Sequence, residues 1–306
     1  MRIVDLVRAP AVPRDGWDRP LVVPKSGGKP VPLTRTTTYI DCIEDKTALS
    51  GWKSRMTLVG AARRPSMLDV VNQLDPEVPD DKRRLNALTE QAMEIAGAHA
   101  KREKGTHLHT LSEFVDRGEP LPAGTTVGDQ RDMAAYLGAT VEFDVKAVEK
   151  FVVVPELGTG GTFDRLLQYA GPGPDGKPIE GDFIGDVKTG SIQYGGLKMA
   201  TQLAVYSRGE LYDYSRFPVD PTDKKTFAAW KKREVPAEEA AQAYNVLPGV
   251  SQKWGIIIHL PSGSAQCTLH WVDLEIGWAA AKLAREIRAI RGTKGAMRPW
   301  VTGLTK

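Results

Sequence analysis

Cysteine is scarce: Cys42 and Cys267 are the two in a chain of 306 residues. Two cysteines exclude a disulfide framework and a zinc or iron–sulfur centre held by four cysteines of one chain. No apolar run approaches the ~18 residues of a transmembrane helix, and the first residues, MRIVDLVRAPAVPRDG, lack the apolar region of a signal peptide. We therefore expect a protein of a reducing, cytoplasmic compartment with no membrane partner.

Neither sign of charge dominates, since 41 Lys and Arg face 38 Asp and Glu for a net charge of +3. That excess is too small to indicate a nucleic-acid partner by itself. The basic residues are concentrated in two segments: residues 1–64 hold twelve against six acids, and residues 282–306 hold seven against one. This layout fits basic flanks that hold a polyanion, and it fits an ordinary solvated surface as well. Trp52 and Trp300 lie in these flanks, either stacked on bases or packed in the core.

Periodicity divides the chain into a helical first part and a strand-rich second part. A helix is predicted at about 40–60, and a long one from Asp80 or Asp81 to about 102. Gly105 is predicted to break the helical pattern, which resumes at 108–118. Two further helices are predicted at 197–207 and from Asp273 to Gly292. Strands are predicted at 140–145 and 151–156, as a hairpin at 158–170 and 180–190, and as a second hairpin at 254–261 and 267–275. Residues 209–250 are predicted to be loop-rich, with a short helix near 225–233. This order predicts one α/β core with an N-terminal helical elaboration.

A carboxylate and a lysine recur as an acid-x-Lys triplet, beginning at Glu44, Asp80, Asp144, Asp175, Asp186 and Asp223. In a strand, this spacing directs both side chains to one face. Only the triplets at Asp144 and Asp186 lie in predicted strands, and only Asp186 has a second acid, Asp164, on the preceding strand. We predict that the hairpin brings these two carboxylates side by side, where a divalent cation would relieve their repulsion. Exposed acids at strand ends remain the alternative.

Other polar side chains fall near this pair in the predicted topology. His107 and His109 point to different faces of a helix, so only one can reach a given site; Glu113, four residues after His109, is placed to orient its ring. Gln202 and Tyr206 share one face of the next helix, with an amphipathic core helix as the alternative. The glycines at 156–161 lack the Gly-Lys-Ser/Thr ending of a phosphate-binding P-loop, which favours a bent hairpin.

Read in order, these residues form a series of short motifs: Gly-Thr-x-x-His at 105–109, a β-branched strand ending at Glu156, Gly-Thr-x-Asp at 161–164, Asp-x-Lys-Thr-Gly at 186–190 and Gln-x-x-x-Tyr at 202–206. In order and spacing the chain resembles the RecB-like exonuclease branch of the PD-(D/E)XK nuclease superfamily, in a phage-type form without an iron–sulfur cluster. TRTTTYIDCIEDKTALSGWKSR at 34–55 and the closing hairpin are also similar to that family. Asp144-x-Lys146 lacks the flanking motifs.

The resemblance implies a fold and a set of roles. The fold is a restriction-endonuclease-like α/β core, a central mixed sheet flanked by helices, with an N-terminal extended and helical region (1–104) packed on the nuclease core (105–306) and a C-terminal hairpin plus helix. The implied metal ligands are His109, Asp164, Asp186 and the backbone carbonyl of Val187. Glu156, at the mouth of the same face, would help to bind a second metal ion. Lys188 would be catalytic, together with Asp164 and Asp186, and Gln202 and Tyr206 would orient Lys188 or the substrate strand.

The function that we expect is a DNA exonuclease dependent on one or two Mg²⁺ or Mn²⁺ ions, producing 5′-phosphates in phage or recombination-type DNA processing. A structure-specific or nicking endonuclease and a non-catalytic recombination accessory protein are the alternatives. The expected partners are single- or double-stranded DNA ends and a single-strand annealing or recombination protein. The expected location is the cytoplasm, that of the bacterial host if the chain is phage-encoded.

Overall fold

The computed structural model describes residues 12–247 and 249–299, without the side chains of His99, Lys101 and Arg102. Trp300 and the outer ends of both basic segments lie outside these residues. Within them, a two-stranded ribbon pairs β1 (Leu21–Val22) with β2 (Val31–Pro32). The central sheet has eight strands: β3 (Thr34–Arg35), β4 (Asp144–Val154), β5 (Thr159–Pro172), β6 (Pro178–Lys188), β7 (Glu210–Tyr212), β8 (Tyr244–Val246), β9 (Trp254–His259) and β10 (Thr268–Asp273).

This sheet is mixed. Its strand order is β10-β9-β6-β5-β4-β7-β8, with β3 paired to β5. β6 lies parallel to β9 and β3 parallel to β5, and the other pairs are antiparallel. The hairpin predicted around the turn at 171–178 is confirmed as β5 and β6.

Helices cover the sheet on both sides. The described helices are α1 (Thr36–Ile40), α2 (Thr47–Arg63), α3 (Ser66–Val71), α4 (Pro79–Ile95), α5 (Ala98–Arg117), α6 (Val127–Thr140), α7 (Gly196–Tyr206), α8 (Lys224–Trp230), α9 (Ala237–Ala241) and α10 (Leu274–Arg291). The predicted α/β class with a central mixed sheet between helices is therefore confirmed, and it is consistent with a restriction-endonuclease-like core.

Successive side chains of β6 point to opposite faces of the sheet and so contact the helices on both sides. Phe183 and Val187 pack with Leu108 and Leu111 of α5 on one side of the sheet. Ile184, on the opposite face, packs with Leu203 of α7. Because successive residues of a strand face opposite sides, Asp186 shares the α7 side with Ile184.

The helix break that we predicted at Gly105 is wrong. α4 ends at Ile95, and Gly97, with φ of 84°, adopts the left-handed conformation that separates it from α5. α5 continues through Gly105, so residues 104 and 105 belong to one helix. A side chain at Gly105 would begin 2.7 Å from Thr189 Oγ1, so glycine there permits α5 to approach the segment that follows β6.

Two other predictions need correction. The strand expected at 140–145 begins only at Asp144, because α6, which apolar spacing did not predict, occupies residues up to Thr140. Residues 209–250 are less irregular than expected, because they contain α8 and α9 together with β7 and β8, which extend the sheet beyond β4.

The last helix buries a different face from the one its apolar residues indicate. Asp273 caps α10 as predicted, accepting from the backbone N–H groups of Glu275 and Ile276. The large residues Ile276, Leu283 and Ile290 are nevertheless 59%, 57% and 72% exposed. Small buried residues, Gly277, Ala281 and Ala284, line the inner face and allow α10 to lie close to α7.

We expect Gly277→Ala to lower the free energy of unfolding by about 1–3 kcal/mol, because the added Cβ would lie 2.2 Å from the carbonyl oxygen of Ala200. Backbone cannot move aside as a flexible side chain can. Gly138→Ala in α6 is the matched control: nothing lies within 4 Å of its Cβ position, so removing a helical glycine there should stabilise by about 0.5–1 kcal/mol. Urea unfolding of the wild type and of both variants measures these changes. Equal unfolding midpoints for Gly277→Ala and Gly138→Ala would contradict the close packing of α10 on α7.

Candidate active site

Two carboxylates meet on neighbouring strands. Arg165 of β5 pairs with Gly185 of β6, so Asp164 and Asp186 are the next residues on the two strands. The backbone N–H of Val187 donates to Asp164 Oδ2 at 2.9 Å. This bond holds the Asp164 carboxylate against the β6 backbone, and the hairpin thus brings together the two acids that the sequence singled out.

Lys188 joins this pair from the end of β6. Its Nζ lies 2.5 Å from Asp186 Oδ2, as expected for two residues on one face of a strand. Burial by itself would lower the pKa of Lys188, but the charges of Asp186 and Asp164 outweigh it and raise that pKa. The side chain remains 29% exposed. Lys188 is therefore a permanent cation that reaches the surface beside two carboxylates.

The environment of Asp186 favours a further cation. Only 2% of this residue is exposed, and burial together with the nearby Asp164 charge raises its pKa to about 7 despite Lys188. Its Oδ1 accepts a hydrogen bond from Gln202 Nε2 at 3.2 Å. The buried Oδ2 forms an ion pair with the Lys188 ammonium but accepts no well-aligned hydrogen bond from the described residues. A buried carboxylate with so few donors fits a hard divalent ion, which prefers oxygen ligands.

The structure distinguishes between the two histidines of α5. His109 Nδ1 lies 3.4 Å from Asp164 Oδ2. Burial lowers the pKa of His109, and the Asp164 charge only partly offsets this effect, so the ring is held neutral, the form that binds metal ions. His107 Nε2 instead faces Asp129 Oδ2 of α6 at 3.4 Å. His109 is thus the histidine at the carboxylate pair.

Of the two side chains on α7, Gln202 contacts Asp186 rather than Lys188, and Tyr206 contacts Gln202. Gln202 Nε2 donates to Asp186 and lies 3.5 Å from the Tyr206 hydroxyl. Tyr206 is buried, and a side chain at Gly161 would begin 2.9 Å from its hydroxyl oxygen. The glycine of the Gly-Thr-x-Asp motif therefore leaves room for the tyrosine ring.

Glu156 does not join this group. It lies in the short turn between β4 and β5, where more than half of its side chain is exposed and Oε1 is 3.6 Å from Arg285 Nη1 of α10. Because this position faces α10 rather than the carboxylate pair, we do not retain Glu156 as a ligand.

In the part of the chain that the structure describes, no three His, Cys, Asp or Glu side chains form a ready metal cluster. His109 contacts Asp164, while Asp186 contacts Lys188 and Gln202.

Reasoning from the sequence missed a buried network beneath the site. Arg165, next to Asp164, is fully buried; its guanidinium pairs with Asp116 and donates to Ser112 Oγ at 2.8 Å. Ser112 Oγ in turn donates to the carbonyl of His109 at 2.8 Å. Tyr136 of α6 also donates to Asp116, at 2.8 Å. The network therefore ties the strand that carries Asp164 to the helix that carries His109.

A signal for this network was present in the sequence. His109, Ser112 and Asp116 are spaced i, i+3 and i+7, so they lie on one face of α5. Arg165 follows Asp164 on a strand whose alternate residues are buried, which places a guanidinium on the inner face. A buried arginine requires a carboxylate partner, and that helix face carries two acids, Glu113 and Asp116. Asp116 pairs with Arg165, whereas Glu113 pairs with Arg117.

Neither a protein-family model nor a curated protein sequence matches the chain. Among the described residues, no helix combines the length and apolar character needed to cross a bilayer. The assignment of a function therefore depends on the geometry and on the sequence motifs.

Proposed function

We propose that the protein is a divalent-metal-dependent deoxyribonuclease of the PD-(D/E)XK type, resembling the RecB-like exonucleases. The observation that carries the proposal is the convergence of Asp164, Asp186 and Lys188 with His109 at one edge of the hairpin. Two carboxylates and a neutral imidazole can bind a divalent ion, and a permanent cation beside them can stabilise the negative charge that develops in phosphodiester hydrolysis.

Mg²⁺ or Mn²⁺ would be held by His109, Asp164 and Asp186, with the backbone carbonyl of Val187 as a further ligand. The scarcity of donors at the buried Asp186 Oδ2 supports this set. When bound, the ion supplies Lewis-acid stabilisation of negative charge on a phosphate group.

The remaining groups orient the two carboxylates and stabilise negative charge on the phosphate. Lys188 Nζ, anchored to Asp186, offers a fixed positive charge to the phosphate oxygens while a water oxygen forms its bond to phosphorus and the bond from phosphorus to the 3′ oxygen breaks. The proton that the water loses neutralises the released 3′ oxygen, and Lys188 remains an ammonium throughout. Gln202 fixes the rotation of the Asp186 carboxylate, and the backbone N–H of Val187 fixes that of Asp164. Release of the 3′ oxygen leaves a 5′-phosphate on the product.

The substrates, the location and the partner that we propose follow from the resemblance to the RecB-like exonucleases. The substrates are DNA ends, single- or double-stranded, in recombination or phage-type DNA processing in the cytoplasm, and a single-strand annealing or recombination protein is the proposed partner. The basic residues at 12–64 and 282–299 give the described chain positive segments that suit a polyanion.

We expect linear duplex DNA, labelled at either end, to be degraded in Mg²⁺ or Mn²⁺ and to remain intact in EDTA. A closed circular duplex in the same reaction should survive, because an exonuclease needs an end. The label released first gives the polarity, and gel electrophoresis is the measurement. Cutting of the circle would identify an endonuclease instead. Failure to cut either DNA with any divalent metal, combined with DNA binding, would indicate an accessory protein.

A further inference from the structure

A cleft of about 1090 Å³ opens beside His109, and none of the groups at the carboxylate pair other than His109 lines it. Its walls come from α2, α5, the segment after β6, and the end of β9 with the loop that follows. The residues that matter here are Trp52, Lys104, Thr189, Ser191 and His259. We call this space the side cleft.

The side cleft has the chemistry of an anion site with an aromatic wall. No Asp or Glu is among its described lining residues, although two carboxylates lie immediately beyond His109. Lys104 is exposed, and its ammonium lies beside the loop that follows β9, 3.1 Å from where a side chain at Gly263 would begin. Thr189 and Ser191 add hydroxyl groups to the same wall. Half-buried Trp52 supplies a flat apolar surface.

The walls are also fixed in place. His259 Nε2 lies 3.0 Å from the carbonyl of Gly190, which ties the end of β9 to the segment after Lys188. The backbone N–H of Ser262 donates to the carbonyl of Thr189 at 3.3 Å in the same region. The absence of a side chain at Gly105 brings α5 against Thr189. One wall of the cleft is therefore continuous with the backbone that carries Lys188.

We propose that the side cleft binds unpaired nucleotides of the substrate strand next to the phosphate that is cut, with a base stacked on Trp52 and a backbone phosphate at Lys104. The volume slightly exceeds that of pockets for small ligands, which suits about two or three nucleotides and not a duplex. Aromatic stacking and a basic wall are the general means of holding a single strand. The proposal rests on the nuclease function above and adds the form of the substrate.

The test measures binding rather than cleavage. A fluorescein-labelled ten-nucleotide oligothymidylate is titrated in Mg²⁺ by fluorescence anisotropy, with every variant made in a Lys188→Ala background so that the strand stays intact. We expect Trp52→Ala to weaken binding at least about fivefold, the lower end of base–aromatic stacking. Trp52→Phe keeps a ring and should stay within about twofold of the background variant. Lys104→Ala should weaken binding and reduce the slope of log K against log salt by about 0.7.

Matched controls stand elsewhere on the chain. Trp17→Ala removes a highly exposed indole that packs on Arg19, and Lys177→Ala removes an exposed lysine at the β5–β6 turn. Neither residue lines the side cleft, so neither substitution should change binding. A thermal melt of each variant confirms folding, and Lys104→Ala, at an exposed position, provides a second reading should Trp52→Ala unfold.

The outcomes separate this proposal from the function on which it rests. Unchanged affinity in Trp52→Ala and Lys104→Ala would overturn the side cleft as a subsite while the wild-type protein still degraded DNA. A blunt duplex that bound as tightly as oligothymidylate, and lost as much affinity in Trp52→Ala, would overturn the restriction to unpaired nucleotides. A wild-type protein that neither cut nor bound DNA would overturn both proposals.

Discussion

Lys188→Ala should reduce the rate of DNA cleavage by about 10²–10³-fold or more, while Mn²⁺ affinity measured by calorimetry stays nearly unchanged. The magnitude is that of removing one preorganised stabilising group from a transition state. Affinity persists because Lys188 is not among the proposed ligands, and its removal leaves Asp186 free of a competing ammonium at 2.5 Å. Loss of Mn²⁺ binding in this variant would contradict the separation of roles.

The chain provides its own control for this substitution. Lys146 stands two residues after Asp144 on β4, and its Nζ lies 3.0 Å from Asp144 Oδ2. The local arrangement thus repeats that of Asp186 and Lys188, with Asp182 as a neighbouring acid. The contacts of His109 and Asp164 lie elsewhere, at each other and at the backbone N–H of Val187. Lys146→Ala should therefore cleave DNA at close to the wild-type rate. Equal losses in the two lysine variants would show that the acid-x-Lys pattern carries no specific role.

Asp116→Ala should lower the free energy of unfolding by about 3–5 kcal/mol, measured in urea. The substitution removes the close carboxylate partner of the buried Arg165 guanidinium and leaves it only the more distant Glu149, whose Oε1 lies 3.9 Å from Arg165 Nη1. Breaking a buried ion pair costs a free energy of this size. Tyr136 loses its hydrogen-bond acceptor in the same variant. Burial raises the pKa of Asp116, whereas the Arg165 charge acts to lower it.

Two further variants show whether charge is the cause. Asp80→Ala removes one partner of an exposed pair with Arg83, which should cost no more than about 1 kcal/mol. The double variant Asp116→Leu with Arg165→Met removes both buried charges and should recover much of the stability that Asp116→Ala loses. A double variant as unstable as the single one would indicate that shape, and not the unpaired charge, determines the loss. Because Arg165 also links β5 to α5, the double variant should still cleave DNA more slowly than the wild type.

Local sequence specifies much of the backbone that carries the site residues. The turn-rich residues at 171–178 between two alternating runs specified the β5–β6 hairpin, and strand periodicity then placed Asp164 beside Asp186 and Lys188 on the same face as Asp186. The Asp273 cap and the i, i+4 spacing of Gln202 and Tyr206 are equally local properties, and the structure has both. These features could be predicted because each depends on hydrogen bonds and spacing within one element or one hairpin.

Tertiary packing decided the rest. The sequence could not choose between His107 and His109, because the choice depends on where α5 lies relative to β5 and α6. Glu156 lies at the end of the expected strand, but its side chain is directed towards Arg285. The direction of this turn depends on the helix packed against it, which the local sequence does not specify. The close contact of α10 with α7 likewise required a face of small residues, so the large apolar stripe of α10 is the outer one. Local sequence patterns specify which residues share a strand, a hairpin or a helix face. Which of those faces meet depends on the packing of the whole core, because contacts between elements involve residues far apart in the chain.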